Sequence, residues 1–259
     1  MMISAQSDDP WVAVREALDR TADDGGTTRF WLRDDDAIAV TPALNRLGEL
    51  SGSHSMPVLL AVIPAGATAP LAAWVAERTW VTPCQHGWAH TNHARPGERA
   101  CELGGDRPDE VVLAELAEGR RALHDLFGSG SADTLVPPWN RIRPSVLPAL
   151  PQAGYRTLST FDRPTPGGVD GLKLLNCDLD LIDWRNGRRG RSIRDLCGRL
   201  VRAIDAARLH RGPIGLLAHH LAHDEAAWDF LEQFFDEVRP SPAVSFMAVA
   251  AADSTIRAD

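Results

Sequence analysis

The sequence is poor in several features that would place it outside the soluble globular class. Of its 259 residues only four are cysteine, at positions 84, 101, 177 and 197. They show no C-x-x-C spacing, so neither a disulfide framework nor a thiolate metal cluster is encoded, and a reducing compartment is expected. Lysine is nearly absent: Lys173 is the only one, and the arginine-dominated positive charge reads as codon bias. The 27 basic residues are outnumbered by 35 acidic ones, leaving a formal charge of −8, so nucleic acid is not an expected partner. The longest apolar runs, such as 58–65, fall well short of the roughly 20 residues a membrane span needs. Positions 1–20 lack a basic start followed by an apolar core, so no export signal is read there and a cytoplasmic location is expected.

What is present is an ordinary globular composition, 44% hydrophobic and 24% charged, which excludes disorder, collagen and coiled coil and is expected to form one domain over 1–259. Short apolar runs alternate with stretches of helical spacing, the pattern of βα units around a mainly parallel sheet, so an α/β fold, barrel-like or doubly wound, is expected. The runs at 29–33, 58–63, 80–83, 134–136, 157–160, 172–175, 214–218 and 244–247 predict strands. Helices are predicted after Asp9-Pro10, from Thr41-Pro42 through Leu50, from Pro108-Asp109 to Gly128, between Ser192 and Gly212, and over 224–239, where Trp228, Leu231, Phe235 and Val238 share a face. The Pro/Gly cluster at 164–171 reads as a loop.

Unusual polar residues stand at the carboxyl ends of these strands, where parallel-sheet enzymes build their sites. Arg33-Asp34-Asp35-Asp36 follows one run, Gln85-His86-Gly87-Trp88-Ala89-His90 a second, Pro137-Pro138-Trp139-Asn140 a third and His219-His220 a fourth. His86 and His90, four apart on a turn or tight loop, aim their imidazoles the same way. Two imidazoles and one carboxylate suit a divalent ion such as zinc, with an open position left for water. A lone His-x-x-x-His is equally at home on a surface or at a helix cap. Three consecutive acids after an apolar strand repel each other without a cation, although a solvated turn also accounts for them. Of His219, His220 and His223, the plain reading is one structural and two exposed histidines; a proton donor at the strand end is the alternative.

In order and spacing these motifs resemble the NodB-type polysaccharide deacetylases, carbohydrate esterase family four, over residues 29 to about 223. Asp35-Asp36-Ala37 resembles the family's Asp pair, His86-Gly87-Trp88-Ala89-His90 its His-x-x-x-His motif in a His-Gly-x-x-His form, Asp180-Leu181-Ile182-Asp183-Trp184 its Asp-x-x-Asp-Trp, and Leu217-Ala218-His219 its Leu-x-His. Val136-Pro137-Pro138-Trp139-Asn140 is similar to the Arg-x-Pro motif, with Val136 where the arginine that orients the base is expected. Arg33 or Arg141 would then substitute, or the base is tuned differently.

The resemblance implies a distorted (β/α) barrel and metal-dependent removal of an acetyl group from an N-acetylated sugar or glycan precursor. By the same resemblance Asp36, His86 and His90 would bind a divalent metal, zinc by expectation. Asp35 would be general base and His219 general acid supported by Asp180, while Pro138, Trp139, Asn140 and Trp184 would hold substrate. A register shifted to Asp34-Asp35 is the competing assignment. Two other activities fit the same barrel: a metal-free ring-amide hydrolase of allantoinase type, and a non-catalytic glycan or metabolite binder. The partner expected is a small molecule or carbohydrate; oligomeric state is not encoded legibly.

Overall fold

The computed structural model describes residues 9–161 and 168–249. Its centre is a nine-stranded sheet built from β1 (Thr28–Ala37), β2 (Val58–Val62), β3 (Val81–His86), β4 (Thr134–Val136), β5 (Thr157–Leu158), β6 (Lys173–Leu174), β7 (Leu179–Asp180), β10 (Ile214–Ala218) and β11 (Val244–Phe246). The order is β6-β5-β4-β3-β2-β1-β10-β7, with β11 paired to the start of β1, and every ladder is parallel. Two-residue strands β8 (Ile182–Asp183) and β9 (Arg189–Gly190) form a separate antiparallel hairpin.

The sheet is curled. Trp31, Leu59, Ala61, Cys84, Val136, Leu175, Cys177 and Leu217 form one buried cluster, which draws on β1 to β4, on β10 and on the segment joining β6 to β7. Residues from both sheet edges meet in that cluster only if the sheet wraps round it. The opposite face carries a larger cluster, in which Phe30, Leu32, Leu60 and Leu216 pack against α1 (Val12–Asp23), α2 (Pro42–Ser53), α5 (Ile193–His210) and α6 (Glu225–Val238). Central strands buried on both faces read as unbroken apolar runs, as 58–62 and 214–218 do. The architecture is therefore the expected α/β distorted barrel.

Helix starts follow the capping residues. Thr41 accepts from the Leu44 N–H with Pro42 in the first turn, Ser192 from Asp195 and Asp224 from Ala227. The helix after Thr41 runs on to Ser53, and the left-handed residue closing α5 is Arg211 rather than Gly212. Helix α4 (Asp109–Phe127) fills its expected span. Helix α3 (Ala69–Ala76) was not legible, since its apolar sequence has no polar face to set a period. Of the expected loop at 164–171, positions 164–167 lie outside the described residues, as do positions 1–8 of the N-terminal stretch. No helix among the described residues is long and apolar enough to cross a membrane.

In the barrel, Trp31 of β1 lies beside Gly215 of β10, and its ring needs the missing side chain: a Cβ on Gly215 would sit 2.6 Å from Trp31 Cε2. Gly215→Ala is therefore expected to destabilise the fold by about 1–3 kcal/mol through overpacking. Urea unfolding reads this directly, and an unchanged midpoint would mean that the ring has somewhere else to go.

Candidate metal centre and active site

Alternation along β1 sorts its polar residues. Phe30 and Leu32 belong to the outer cluster and Trp31 to the inner one, so Arg33 and Asp35 face the barrel interior and Asp34 faces out. Arg33 is fully buried. Its Nε lies 2.9 Å from Asp35 Oδ1, and Nη2 donates to Asp35 Oδ2 at 3.0 Å and to Asn140 Oδ1 at 2.6 Å. Nη1 donates to Ser159 Oγ at 2.8 Å and to the Thr160 carbonyl at 3.3 Å. Burial opposes the Arg33 charge, but the Asp35 carboxylate outweighs it and the pKa rises. Arg33 is thus the arginine that holds the Asp35 carboxylate. Arg141 is directed elsewhere, donating to the Ala100 carbonyl at 2.7 Å.

The strand runs on through the acidic run, so Asp34 and Asp35 are inside β1 rather than after it. Its register with β2 shifts between Asp34 and Ala37, and Asp36 takes a φ of 74°. This irregularity turns the Asp36 carboxylate toward His86, the last residue of β3. Asp36 Oδ1 lies 3.1 Å from His86 Nε2 and 3.2 Å from His90 Nε2. The three residues offer ligand atoms that all fall within 4.8 Å of one another. His86 Nδ1 donates to the Val136 carbonyl at 2.9 Å, which assigns the proton to that nitrogen and leaves Nε2 facing the cluster. Burial would raise the Asp36 pKa, but the hydrogen bond and charge of His86, with His219 and His90, hold it well below the carboxylate range. Burial alone would lower His86; the charges of Asp35 and Asp36 reverse that and raise it. His90 is lowered, by burial and then by His86.

His90 is delivered by a tight loop whose backbone donors converge on a residue the sequence did not single out. Buried Glu102 accepts from the N–H groups of Trp88 at 3.0 Å, Ala89 at 2.8 Å and Thr91 at 3.2 Å. Gly87 has a φ of 58°, and a Cβ there would lie 1.9 Å from Glu102 Oε2 and 2.6 Å from Pro138 Cγ. The glycine of the His-Gly-x-x-His motif and Glu102 therefore come as a pair. Twelve residues separate Glu102 from His90, and no spacing rule marks such a contact.

Across the cleft, buried His219 follows β10. Its Nε2 is 3.9 Å from Asp35 Oδ2 and its Nδ1 3.9 Å from Asp180 Oδ1. Asp180 is held by the Ile182 N–H at 3.0 Å and Trp184 Nε1 at 2.8 Å, and burial raises its pKa. The Trp184 ring meets His219 edge-on with centroids 4.7 Å apart, and the Trp139 ring lies 4.2 Å from that of His90. All these groups line one cleft of about 990 Å³. Of the residues expected in the site, Pro138 alone is not in its wall: its ring is buried beneath Gly87. Asn140 is in the wall, but its side-chain oxygen is taken by Arg33.

The neighbouring histidines are not exposed. His220 is buried and bonds Asp34 through its backbone N–H at 2.8 Å and Nδ1 at 2.5 Å. That contact puts Asp34 on the far side of the strand from His86 and His90. Half-buried His223 accepts from the His219 N–H at 3.3 Å, and burial pushes its pKa down to about 4.

No family model and no curated protein matches the sequence. Solved structures do. A Mycobacterium smegmatis protein assigned as a polysaccharide deacetylase superposes with a TM-score of 0.69 at 18% identity, covering 90% of this chain and 91% of that one. The fold is that of the family four carbohydrate esterases. A family four acetyl xylan esterase from Clostridium thermocellum, solved with a cobalt ion, gives 0.55 at 12% identity over 88% of this chain and 91% of that one. A family four pseudoenzyme from Bacillus anthracis gives 0.54 at 12% identity over 83% and 62%. The esterase fold is thus shared by proteins described as active and as inactive, and only the site itself bears on which this chain is.

Two outcomes follow from this geometry. Glu102→Gln is expected to leave the fold intact and weaken divalent-metal binding by about 10–100-fold, because an amide nitrogen would then confront the loop's N–H donors; competition with a chelating dye measures it, and unchanged affinity would remove Glu102 from loop positioning. The second outcome concerns His220. Burial lowers its pKa, but the charge and hydrogen bond of Asp34 outweigh burial and the net shift is upward. The pair's pH-linked stabilisation is then present below the unfolded value of about 6.5 and is lost as pH rises through the higher folded value. The melting-temperature gap between wild type and His220→Gln should narrow on going from about pH 6 to about pH 9. A gap independent of pH would mean that the pair contributes by packing alone.

Proposed function

We propose that this protein is a divalent-metal-dependent deacetylase that hydrolyses the acetamide of an N-acetylated sugar or glycan precursor. The observation that carries the reading is the convergence of Asp36, His86 and His90 in one cleft with a carboxylate held by Arg33 and an imidazole that has Asp180 3.9 Å from its Nδ1. Two imidazole nitrogens and one carboxylate form a donor set that zinc accepts with positions left open, and the Nδ1 of His86 already has its carbonyl partner. A bound divalent ion supplies Lewis acidity toward a carbonyl and lowers the pKa of water.

The chain's own residues do the rest. Asp35, with both oxygens fixed by Arg33, takes a proton from the attacking water. The oxyanion at the former carbonyl draws on the Trp139 backbone N–H, and losing one such donor costs roughly 2.7–4 kcal/mol in the barrier. His219 passes a proton to the departing amine, with the Asp180 carboxylate 3.9 Å from its Nδ1. Trp139 and Trp184 wall the acyl pocket and exclude water. All four cysteines are free, in keeping with a cytoplasmic setting.

The non-catalytic reading rested on Val136 in place of arginine, and Arg33 supplies that group from β1. A metal-free hydrolase would have no use for Asp36, His86 and His90 within reach of one another.

The test is elemental analysis of the purified protein beside Asp36→Ala, His90→Ala and His219→Ala, with circular dichroism to check folding. Near-stoichiometric metal is expected in the wild type and in His219→Ala, and loss in the other two. His219→Ala should also lower kcat by about 10²–10⁴-fold on an N-acetylated substrate. A wild type that takes up no zinc, cobalt or manganese would overturn the metal assignment, and unchanged turnover in His219→Ala would remove it as the acid.

A further inference from the structure

The cleft carries more positive charge than its chemistry uses. Its lining includes six arginines, Arg99, Arg141, Arg185, Arg188, Arg191 and Arg199, against four aspartates, in a chain whose formal charge is −8. The aspartates are all engaged: Asp35 by Arg33, Asp36 by the two histidines, Asp180 by Trp184, and Asp183 by Asn186 at 2.7 Å. Arg199 pairs with Asp195 at 3.0 Å, and Arg191 lies 3.4 Å from Asp195 and 3.7 Å from Asp183. The other four are not so paired. Arg99, Arg185 and Arg188 are exposed and have no acceptor among the described residues, and Arg141 donates only to a backbone carbonyl.

The placement is also specific. Arg99 and Arg141 follow β3 and β4 and stand close enough that, after burial, the Arg99 charge is the next cause lowering the Arg141 pKa. Arg185 and Arg188 belong to the turn between β8 and β9, beyond β7 at the other sheet edge. That turn is built: Asp183 accepts from the N–H groups of Arg185 at 3.2 Å and Asn186 at 3.3 Å, and Arg188 is held at a φ of 54°. Guanidinium groups concentrated round a low-dielectric cleft focus a positive field into it. Unpaired arginines present planar forks that match phosphate and carboxylate oxygens. Two separated pairs exceed what one carboxylate satisfies, whereas a phosphoryl group carries nearly two charges and three acceptor oxygens. Trp139 packs on His90 and the partly exposed Trp184 meets His219 edge-on, whereas Arg99, Arg185 and Arg188 offer guanidinium groups at the rim.

We propose that the substrate is a phosphorylated N-acetylamino sugar, its phosphoryl group bound by the arginines at the rim of the cleft; this rests on the deacetylase reading for the acyl end alone. The phosphoryl group belongs either to a sugar monophosphate or to a sugar joined to a nucleoside diphosphate.

Isothermal titration of the purified protein separates these, with N-acetylglucosamine, chitotetraose, N-acetylglucosamine 6-phosphate and UDP-N-acetylglucosamine as probes. At least one phosphorylated probe is expected to bind about tenfold or more tighter than both neutral ones, and the tighter of the two names the source. The preference should shrink as salt is raised and disappear in the triple variant R99Q/R185Q/R188Q, which leaves the Asp36, His86 and His90 set intact. Neutral probes binding as tightly, no probe binding, or the preference surviving in the triple variant would each overturn the proposal. Because the readout is binding, preferential binding without acetate release would count against the deacetylase reading and leave the anion site standing.

Discussion

The structure turns on a guanidinium and a carboxylate buried together inside a barrel. Arg33 and Asp35 are almost completely removed from water, and either charge alone would be intolerable there. The arrangement persists because Arg33 spreads its donors over Asp35, Asn140, Ser159 and Thr160. Those contacts reach from β1 to the turn after β4 and to the segment after β5, across the interior. One side chain thereby joins separate strands of the curled sheet, fixes the turn that carries Trp139, and sets the orientation of the carboxylate facing the cleft. A neutral residue at 33 would leave Asp35 buried without a countercharge, and the curl and the chemistry would fail together.

Around this fixed pair the backbone is bent into conformations that side-chain-bearing residues avoid. Asp36, His90, Trp139 and Asn140 all have φ between 54° and 74°. Such positions carry of order 1–3 kcal/mol each and persist only where surrounding contacts over-determine them. Here the contacts are visible. Arg33 grips Asn140, and Glu102 collects the N–H groups of Trp88, Ala89 and Thr91 on either side of His90. Five of the seven non-glycine residues with positive φ among the described residues, these four and Arg188, line this cleft, and the buried charges of Arg33 and Glu102 hold the turns that carry Asn140 and His90.

Much of this was legible in the sequence because strand ends in parallel sheets are punctuated. Strands 134–136 and 214–218 appear at their expected bounds, since apolar runs buried on both faces stop where polar groups must face a cleft. Strands β7 to β9 were missed because aspartates and arginines break up 179–190, whereas the equally short β5 and β6 lie in the runs 157–160 and 172–175. Arg33 stood as one of two open substitutes for the missing arginine, and only the alternation of β1, known once the strand is known to run past Asp34, decides for it over Arg141. The role of Glu102 went unread and Pro138 was wrongly expected in the substrate wall for a common reason. Their roles are fixed by what lies against Gly87, and a glycine's neighbours leave no trace in spacing.

The same alternation explains why three adjacent acids and two adjacent histidines do not interfere. Strands β1 and β10 are parallel neighbours, with Asp34 opposite Ala218. Successive residues at their carboxyl ends point to opposite faces, so two Asp–His pairings arise from one ladder. Asp34 meets His220 at 2.5 Å on the helix side, closed and buried, while Asp35 and His219 stand 3.9 Å apart on the cleft side, too far for a direct hydrogen bond. The outer pair ties the two strand ends at one fixed register. That register brings the inner carboxylate and imidazole together in the wall of the cleft. A one-residue slip of β10 would exchange the two faces, turning His219 to the helix side and His220 to the cleft.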